Sequence, residues 1–556
     1  MKHQTKDEFV FLPLGGSGEI GMNLNAYGYG PADDRAWIIM DIGVTFGDAA
    51  TPGIDVIMPD PSYLEDQNIL GIVLTHAHED HIGAIGHLWR RLKAPVYCTP
   101  FTAYLVKDKL REAGLIDEVD LNIVPLKGSF DIGPFHLRLV TLTHSIPEPN
   151  GVVIETPLGV VMHTGDWKID PDPLIGEPTD AAALMQIGEN GVLAMVCDST
   201  NALVEGTAGS EADVRKELVK LVGELKGKVV VACFASNVAR VSSVIEAARA
   251  AGRHVCFVGR SMKRIVAAAQ TVDILKDDGI FVSEEEASDL PDDYVLYLAT
   301  GSQGEARAAL AKIAHGAHPT VKLSSGDTVI FSSRVIPGNE IPIKDVQNHL
   351  VEQGVKVITD RDRDIHVSGH PCKDELRQMY QWVRPKISIP VHGEARHLKE
   401  HAALAKSLQV EQTFVPRNGA MIRLAPGPGA IIDETPNGRL HLDGNRLVLA
   451  DDSALRERRK IAVVGHITVT VAVSGKGALV SGPALCVRGL PDLGDTDEGA
   501  AIEALEEAAD EAFSALKPGQ KQDPNQIEEA LERAVRRSAE RIWGKRPLVD
   551  AMVLTV

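Results

Sequence analysis

The loop from His76 to His81 is unusually dense in side chains that bind metals. It follows the apolar segment Ile69–Leu74 and offers four ligand candidates, which are His76, His78, Asp80 and His81. Histidine nitrogen and carboxylate oxygen are the ligands of hydrolytic zinc sites. A polar surface loop is the alternative interpretation. Four such side chains within six residues instead favour a metal site in a cleft at the tip of a strand.

Three later residues occupy the same kind of position. His144 follows the apolar segment Leu137–Thr143, Asp166 follows Val160–His163, and His392 follows Ile387–Val391. Each is a weak signal alone, because a histidine after a strand is more often an ordinary loop residue. Together the seven candidates suit two metals that share one carboxylate. Such a pair, about 3.5–4 Å apart, can activate water and stabilise both oxygens of a phosphodiester during cleavage.

A glycine-rich motif near the N-terminus suggests a different chemistry. Residues 16–21 match G-x-G-x-x-G after a strand, and Asp41 lies about where a dinucleotide fold requires a carboxylate. However, residues 22–30 (MNLNAYGYG) do not have the pattern of a helix, which a dinucleotide site needs at that point. We therefore interpret the motif as a glycine-rich loop beside the metal site.

The elements that must position these residues indicate an α/β protein of several domains. Short apolar strands alternate with turn-rich links from Phe9 to about Thr200. Regular strand–helix alternation then begins at Ser210, as in a parallel sheet wrapped by helices. The chain is predicted to return to the first domain before a charged linker and a small α+β domain, whose first strand is Ile461–Val473. The predicted segments are 1–208, 209–370, 371–450, the linker 451–465, and 466–556.

Composition limits the class of protein. The 556 residues are 44% hydrophobic and 24% charged, typical of a globular protein with several cores. No apolar run is long enough to span a membrane, and the N-terminus lacks the apolar core of a signal peptide, so we expect a cytoplasmic protein. The six cysteines include no C-x-x-C pair, which makes a cysteine zinc site improbable.

The net charge of −20 is unusual for a nucleic-acid binder, because phosphate contacts favour basic surfaces. Part of the excess is local. The stretch from Asp492 to Glu511 is acidic and contains no lysine or arginine, and Glu284–Glu286 form part of a second block. The charge therefore argues against broad duplex binding. It is compatible with one strand entering a metal-lined cleft, since a cleft needs only a local field of the right sign.

The ligand pattern resembles the metallo-β-lactamase superfamily. The resemblance implies an αββα sandwich in which His76, His78 and His144 hold one zinc. Asp80, His81 and His392 would hold the second, Asp166 would bridge both, and the metals would activate the attacking water. His392 follows Asp166 by 226 residues, so a whole domain is inserted before the last ligand. This resembles the β-CASP branch, whose members cut RNA or DNA.

Further motifs are similar to those of the ribonuclease J family, and the similarity covers essentially the whole chain. They are Asp198-Ser199-Thr200-Asn201, Phe234-Ala235-Ser236-Asn237, Gly259-Arg260-Ser261-Met262, Thr300-Gly301-Ser302-Gln303-Gly304-Glu305, the Arg334–Glu340 loop and His366-Val367-Ser368-Gly369-His370. The resemblance implies a first domain in two parts (1–208 and 371–450), a β-CASP domain (209–370) and an oligomerisation domain (466–556).

The resemblance also implies roles at the site. Asp80, Asp198 and His370 would be catalytic, with Asp198 orienting His370 and His370 assisting the leaving oxygen. The RNA backbone and its 5′-monophosphate would be bound by Ala235, Ser236, Asn237, His366, Val367, Ser368, Gly369 and His370. Asp198 could instead belong to a simple turn, and Ser236 and Asn237 could cap a helix. The family's additional calcium site, near Asp48, is doubtful here because that loop is poor in carboxylates.

The implied function is 5′→3′ degradation of single-stranded RNA with a 5′-monophosphate, together with internal cleavage, in mRNA decay and rRNA maturation. Two Zn²⁺ per subunit are expected, with Mn²⁺ as the alternative metal. The resemblance further implies a homodimer or homotetramer, association with other proteins of RNA decay, and no membrane partner. Two other interpretations stay open at this point: a β-CASP nuclease acting on DNA, and a non-catalytic RNA-binding partner.

Overall fold

The computed structural model describes residues 6–48, 50–491 and 498–556. Two compact units emerge: Met1–Thr45 with Ile57–Arg439, and Phe46–Val56 with Leu440–Val556. Residues 492–497, where the predicted acidic stretch begins, and Ala49 of the doubtful calcium loop lie outside the described residues. In the described part of the chain, every helix is too short or too polar to cross a bilayer.

The first stretch of the chain is rich in strands. Its elements are β1 (Glu8–Gly15), β2 (Ser17–Gly18), β3 (Leu24–Gly30), β4 (Ala36–Met40), β5 (Thr45–Phe46), β6 (Val56–Pro59), α1 (Ser62–Glu65), β7 (Asn68–Val73), α2 (Glu79–Ile82), α3 (Ile85–Leu92), β8 (Val96–Cys98), α4 (Pro100–Glu112), β9 (Leu121–Ile123), β10 (Ser129–Ile132), β11 (Phe135–Thr141), β12 (Asn150–Thr156), β13 (Gly159–His163), α5 (Ala181–Asn190) and β14 (Ala194–Asp198).

Strands and helices then alternate. These elements are α6 (Glu211–Glu224), β15 (Val229–Ala232), α7 (Val238–Ala250), β16 (His254–Val258), α8 (Arg260–Thr271), β17 (Phe281–Val282), α9 (Glu284–Asp289), β18 (Val295–Ala299), α10 (Ala309–Ala314), β19 (Thr328–Phe331), α11 (Glu340–Glu352) and β20 (Lys356–Ile358).

The remaining elements are α12 (Lys373–Val383), β21 (Ile387–Val391), β22 (Gly393–Glu394), α13 (Ala395–Ser407), β23 (Gln412–Thr413), β24 (Ala420–Ala425), β25 (Ala430–Glu434), β26 (Arg439–Asp443), β27 (Arg446–Leu449), α14 (Ser453–Val464), β28 (His466–Val473), β29 (Leu479–Arg488), α15 (Glu498–Ser514), α16 (Pro524–Trp543) and β30 (Leu548–Thr555).

Two sheets form the centre of the first unit. One has the order β25-β24-β1-β3-β4-β7-β8-β9 and the other β10-β11-β12-β13-β14-β21-β23. Successive side chains along β12 point to opposite faces of the second sheet. Val152 and Ile154 pack with Phe9 and Tyr27 of the first sheet, whereas Val153 packs with residues of α5 and α12. Helices therefore cover the outer face of the second sheet, as the αββα prediction requires.

The strand directions explain why distant residues meet. In the second sheet β13, β14 and β21 are parallel, and β11 runs the same way because two antiparallel pairings separate it from β13. The ends of these strands therefore lie at one edge of the sheet. In the first sheet β4 and β7 are also parallel, which brings the residues that follow them together.

The inserted segment forms a separate six-stranded sheet with the order β17-β16-β18-β15-β19-β20, and all its pairings are parallel. Strands such as β15 and β19 are buried throughout, as expected for a parallel sheet covered by helices on both faces. The predicted helix after Ser210 is α6, and the Ser210 side chain accepts a hydrogen bond from the Ala212 amide at its N-terminus. The predicted strand–helix alternation is confirmed.

In the second unit, β28 lies between β29 and β30 and packs on α15 and α16. The segment predicted as a linker, 451–465, is largely helical, because α14 occupies Ser453–Val464. The predicted strand accordingly begins at His466 instead of Ile461. Asp452 caps this helix, and its charged residues are good helix formers. The hairpin of β26 and β27, which the sequence placed with the first domain, falls largely within the second unit.

The glycine-rich motif leads into strands. Residues 17–18 form β2 and residues 24–30 form β3, so no helix follows and the dinucleotide interpretation is excluded. The loop lies beside a predicted metal ligand, because the amide of His392 donates to the carbonyl of Gly16 at 2.6 Å and β2 pairs with β22. The alternative prediction, a glycine-rich loop beside the metal-ligand cluster, is confirmed.

Candidate metal centre

The first ligand group contains His76, His78, His144 and Asp166, with one ligand atom from each within 4.8 Å of the others. His78 Nδ1 lies 3.1 Å from Nε2 of both His76 and His144. Asp166 Oδ2 lies 3.9 Å from His76 Nε2 and 3.8 Å from His144 Nε2. Three nitrogens and one carboxylate oxygen therefore converge on one point, as a tetrahedral metal requires.

The second ligand group contains Asp80, His81, His392 and again Asp166. Asp80 Oδ2 is 3.6 Å from His81 Nε2 and 3.1 Å from His392 Nε2, while Asp166 Oδ2 is 3.2 Å from His81 Nε2. The structure thus brings all seven predicted ligands together in two groups that share Asp166. This is the arrangement expected for two metals with a common carboxylate.

Four of the five histidines are held from behind through Nδ1. His76 contacts Thr75 Oγ1 at 3.0 Å, His81 contacts Asp41 Oδ2 at 2.7 Å, His144 contacts the Gly369 carbonyl at 2.5 Å, and His392 contacts Thr200 Oγ1 at 2.9 Å. Because these partners accept the Nδ1 proton, Nε2 is the nitrogen left to bind a metal. Metal-binding histidines in proteins are fixed in the same way.

The pKa values of the histidines shift in opposite directions in the two ligand groups. Burial lowers the pKa of His76 and His144 well below the ordinary value and that of His78 to about 4, so the first group presents neutral imidazoles. In the second group, nearby carboxylates outweigh burial and raise the pKa of His81 and His392 well above the ordinary value. These two protons balance buried negative charge, which divalent cations would balance instead. The donor set therefore fits metal ions.

Two of these residues have a strained backbone. His392 has φ 52° and Asp41 has φ 64°, in the left-handed region that residues other than glycine seldom adopt. Such a conformation costs about 1–3 kcal/mol and persists only where the surroundings enforce it. Here His392 is enforced by Gly16 and Thr200, and Asp41 by Thr75, whose amide and hydroxyl both donate to its carboxylate.

The partly exposed His370 pairs with the buried Asp198 beside the ligands. His370 Nδ1 donates to Asp198 Oδ2 at 2.8 Å and lies 3.8 Å from Asp166 Oδ2. Burial alone would lower the pKa of His370, but Asp198 and Asp166 raise it above the ordinary value. Asp198 also accepts from the amide and hydroxyl of Thr200. The sequence left open whether Asp198 belongs to a turn or orients a histidine. In the structure Asp198 does both, since it accepts from Thr200 within the turn and from His370.

The loop His366–His370 contacts the ligand His144. Gly369 provides the carbonyl that fixes His144, and Ser368 Oγ accepts from Asn201 Nδ2 at 2.7 Å. A Cβ on Gly369 would lie 2.8 Å from His144 Cε1 and from Ser145 Oγ, so only glycine fits there. Val367 instead packs near Gly209. The loop is therefore part of the scaffold that holds a ligand, besides being exposed in part to the cleft.

His366 has an unusual environment. Its Nδ1 is buried and has no hydrogen-bond partner among the described residues. Burial, with the charges of Arg240, Arg334 and Lys168, lowers its pKa to about 3. Arg240 is paired with Glu211 and Lys168 with Asp170, whereas Arg334 is exposed. Of these three cations, Arg334 is therefore the one placed to meet an anion beside the neutral imidazole.

Asn237 is less available than the sequence predicted. It caps α7, accepting from the Arg240 amide at 2.9 Å, and its Nδ2 donates to Glu211 Oε1 at 3.1 Å. The fully buried Arg240 pairs with Glu211 and also donates to the carbonyls of Ser332 and Ile365. Ala235 and Ser236, by contrast, are partly exposed. The helix-cap interpretation of Asn237 is therefore correct.

Sequence reasoning missed the residues behind the ligands. Asp41 was considered only as part of the dinucleotide motif, and Thr75 only as a neighbour of the ligand loop. The sequence did contain a signal for Asp41, because it follows a strand just as the ligands do. However, only the parallel pairing of β4 with β7 shows that its loop meets the loop of His76.

Three further histidines make hydrogen bonds to residues outside the two ligand groups. The His163 ring contacts the Tyr27 hydroxyl, the His397 ring accepts from the Glu394 amide, and the His401 ring contacts the Ser199 hydroxyl.

Family models match most of the chain. They describe a metallo-beta-lactamase superfamily domain at residues 33–218, a ribonuclease J beta-CASP domain at 226–350, a Zn-dependent metallo-hydrolase RNA specificity domain at 354–416, and a ribonuclease J C-terminal domain at 453–556. The order of these matches follows the order of the sheets described above. A β-CASP domain is inserted into the metallo-β-lactamase fold and a further domain ends the chain.

Relatives named ribonuclease J are similar over nearly their whole length. The protein of Sinorhizobium meliloti is 46% identical over 99% of this chain and 98% of its own. Those of Mycolicibacterium smegmatis and Thermus thermophilus are 38% and 35% identical, over 98% and 99% of this chain and 96% of their own. A solved protein of unknown function from Enterococcus faecalis shares the fold, with TM-score 0.52, 14% identity and coverage of 75% of this chain and all of its own.

The family matches and the converging ligand groups support the same conclusion. The matched models are those of a metal-dependent hydrolase with an RNA specificity domain, and the similarity to named ribonucleases extends from end to end. The chain belongs to the ribonuclease J family and is a metal-dependent RNA hydrolase.

Proposed function

We propose that the chain is a dinuclear zinc ribonuclease that degrades single-stranded RNA 5′→3′ from a 5′-monophosphate end and also cuts internally. The observation that carries this proposal is the position of Asp166. It is shared by two ligand groups and lies 3.8 Å from His370, which is itself paired with Asp198. Ligands for two metals and a candidate proton donor therefore occupy one edge of the fold.

The donor set favours zinc, with Mn²⁺ as the alternative. Imidazole-rich groups suit Zn²⁺; His76, His78 and His144 would hold one ion and Asp80, His81 and His392 the other, with Asp166 common to both. When bound, two such ions lower the pKa of an attacking water and stabilise charge on the phosphodiester. The residues behind His76, His81, His144 and His392 keep these four rings in the tautomer that binding requires.

His370 would donate a proton to the leaving oxygen. Its Nδ1 proton is engaged by Asp198, so Nε2 is the remaining donor when the ring is protonated. The raised pKa of His370 favours the protonated ring. Asp198 would act as a positioning residue, while Asp80 acts directly as a ligand.

The 5′ preference would come from the anion site around His366. The exposed Arg334 contributes positive charge there, and Ser368 and Gly369 extend the same loop to the ligand His144. A terminal phosphate carries more negative charge than an internal one. It would therefore gain more from this site, with Ala235 and Ser236 as further contacts.

The wider roles follow from the family. We assign to the chain a part in mRNA decay and rRNA maturation, in the cytoplasm, with association with other proteins of RNA decay. The second unit would support a homodimer or homotetramer. The domain limits 1–208, 209–370, 371–450 and 466–556 are kept as proposals, with α14 in place of the linker.

The test compares three substrates of one sequence: RNA with a 5′-monophosphate, RNA with a 5′-triphosphate, and single-stranded DNA. Each is labelled at the 3′ end and incubated with the zinc-loaded protein. We expect the monophosphate RNA to be shortened progressively from its 5′ end, the triphosphate RNA to be cut more slowly and internally, and the DNA to persist. Equal degradation of all three would contradict the end preference and the choice of RNA.

A variant pair separates catalysis from binding. Asp80→Asn removes a ligand, whereas Asp131→Asn alters an exposed carboxylate that pairs with His136. RNA hydrolysis should be lost in the first variant and unchanged in the second. If Asp80→Asn retained full activity with an intact fold, the proposed site would be wrong.

A further inference from the structure

A third group of metal-binding side chains lies on the inserted six-stranded domain, apart from the catalytic edge. It contains His315, Asp345 and His349, with one ligand atom from each within 4.8 Å of the others. His315 Nε2 lies 3.5 Å from Asp345 Oδ2, and the two imidazole centroids are 4.2 Å apart. All three side chains are partly exposed, between 38% and 56%, so an ion can reach them from solvent.

Backbone contacts fix both rings in the form that binds a metal. His315 Nδ1 donates to the Ala311 carbonyl at 2.7 Å, and His349 Nδ1 donates to the Asp345 carbonyl at 2.8 Å. Carbonyl oxygen can only accept, so the proton of each neutral ring is on Nδ1 and the lone pair is on Nε2. The histidines of the catalytic groups show the same device, which is typical of metal-binding imidazoles.

The two helices that carry these residues are already joined. His315 follows α10 directly, and Asp345 and His349 are one turn apart on α11. Gln353 Nε2 donates to the Ala314 carbonyl of α10 at 2.5 Å and to the His349 carbonyl at 3.0 Å. Little side-chain freedom remains to be lost when an ion binds, which favours affinity.

The spacing of His315 and Asp345 suits a small tetrahedral cation, and His349 completes the group within the 4.8 Å limit. Zn²⁺ binds nitrogen and oxygen at about 2.0–2.2 Å, which places ligand atoms roughly 3.4 Å apart in a tetrahedron. The 3.5 Å separation of His315 Nε2 and Asp345 Oδ2 matches that value. Two imidazoles and one carboxylate leave a fourth position for water. Imidazole ligands favour Zn²⁺, Ni²⁺ and Cu²⁺ over Mg²⁺ or Ca²⁺.

We propose that His315, Asp345 and His349 form a third binding site for a divalent transition metal, of which Zn²⁺ is the natural candidate. The ion cross-links α10 to the C-terminal turn of α11. The other end of α11 begins beside Asn339, whose side chain contacts Gln303. The site lies roughly 14 Å along the helix from that point. The group shares no residue with the two ligand groups around Asp166, so we assign to the ion a structural role in the inserted domain.

The test counts bound zinc on the full-length protein. Wild type, His349→Ala, Asp345→Asn and His136→Ala are dialysed against buffered Zn²⁺, and zinc per chain is measured by atomic absorption as free Zn²⁺ is raised. His136 is the matched control, because it is exposed and paired with one carboxylate, Asp131, but belongs to no group of three ligands among the described residues.

We expect one fewer zinc per chain in His349→Ala and Asp345→Asn than in wild type and His136→Ala, with RNA hydrolysis equal in all four. Added Zn²⁺ should also raise the melting temperature of the metal-loaded wild type but not that of the two site variants. Equal zinc content in all four proteins would overturn the proposal. Loss of hydrolysis together with the zinc would show that the ion belongs to the catalytic centre, and would overturn it too.

Discussion

At the scale of single residues, the site depends on atoms that never touch a metal. Thr75, Asp41, Thr200 and the Gly369 carbonyl each accept the Nδ1 proton of a candidate ligand. Each contact selects the tautomer and fixes the ring plane. Since the partners of His76 and His81 are themselves joined through the Thr75–Asp41 contacts, the two ligand groups are coupled behind the histidines as well as through Asp166.

Asp41→Asn tests this supporting layer. The amide cannot accept the His81 and Thr75 protons as the carboxylate does, so we expect zinc affinity to fall about 10- to 100-fold. Competition with a fluorescent chelator measures it. Asp131→Asn is a matched control, because its contact with His136 has the same 2.7 Å length on the exposed surface. Equal affinities in the two variants would show that Asp41 has no role in metal binding.

Asp198→Asn tests the proton donor. Asp198 raises the pKa of His370, so removing its charge lowers that pKa. The protonated donor is then lost at a lower pH, and the alkaline limb of kcat moves to lower pH. His370→Ala should reduce kcat by about 10²–10⁴-fold and abolish that limb. A pH profile of Asp198→Asn identical to that of wild type would remove His370 from the mechanism.

At the scale of elements, the ends of parallel strands create the site. Local pattern was sufficient to predict β7, β13 and β21 and the ligands after them, because apolar runs ending in polar turns have few other interpretations. It was insufficient for Asp41, whose role depends on pairing between strands far apart in sequence. It also failed for α14, where a charged run with no clear apolar face resembles a linker.

The loop at Gly369 offers a test at this scale. In Gly369→Ala the new Cβ would collide with His144 and Ser145, so the loop or the ligand must move. We expect loss of zinc affinity and of RNA hydrolysis at least as large as in Asp41→Asn. Gly223→Ala is the control, because Gly223 lies in α6 and a Cβ added there would meet no atom within 4 Å. Wild-type behaviour of both variants would argue against the close packing at Gly369.

At the scale of the whole molecule, two surface properties matter: the net negative charge and an exposed apolar face in the second unit. The net charge of −20 repels RNA in general, so we expect binding to depend on local positive charge such as that of the exposed Arg334 near His366. In the second unit, alternate residues of β30 divide between two faces: Val549 and Val553 pack in the core, whereas Met552 and Leu554 are exposed. An exposed apolar sheet face of this kind favours contact with a second copy of the chain.

Light scattering during size-exclusion chromatography tests that contact. The chain has a mass of 59.8 kDa, so we expect a species of two or four times that value. Met552→Lys with Leu554→Lys should shift the mass toward that of one chain, because burying two charges at an interface is unfavourable. Asp131→Lys, at an exposed position of the first unit, is the control for added charge. A monomeric wild type would contradict the assembly proposal.

We test whether RNA hydrolysis depends on a pair of metals at the two ligand groups that share Asp166 by restoring zinc to metal-free protein. The titration uses His349→Ala, so that zinc at the proposed site of His315, Asp345 and His349 is not counted. It follows cleavage of 5′-monophosphate RNA against zinc bound per chain. We expect no cleavage without metal and full cleavage when two ions are bound. Full cleavage by metal-free protein, or at one ion per chain, would show that a metal pair is not required.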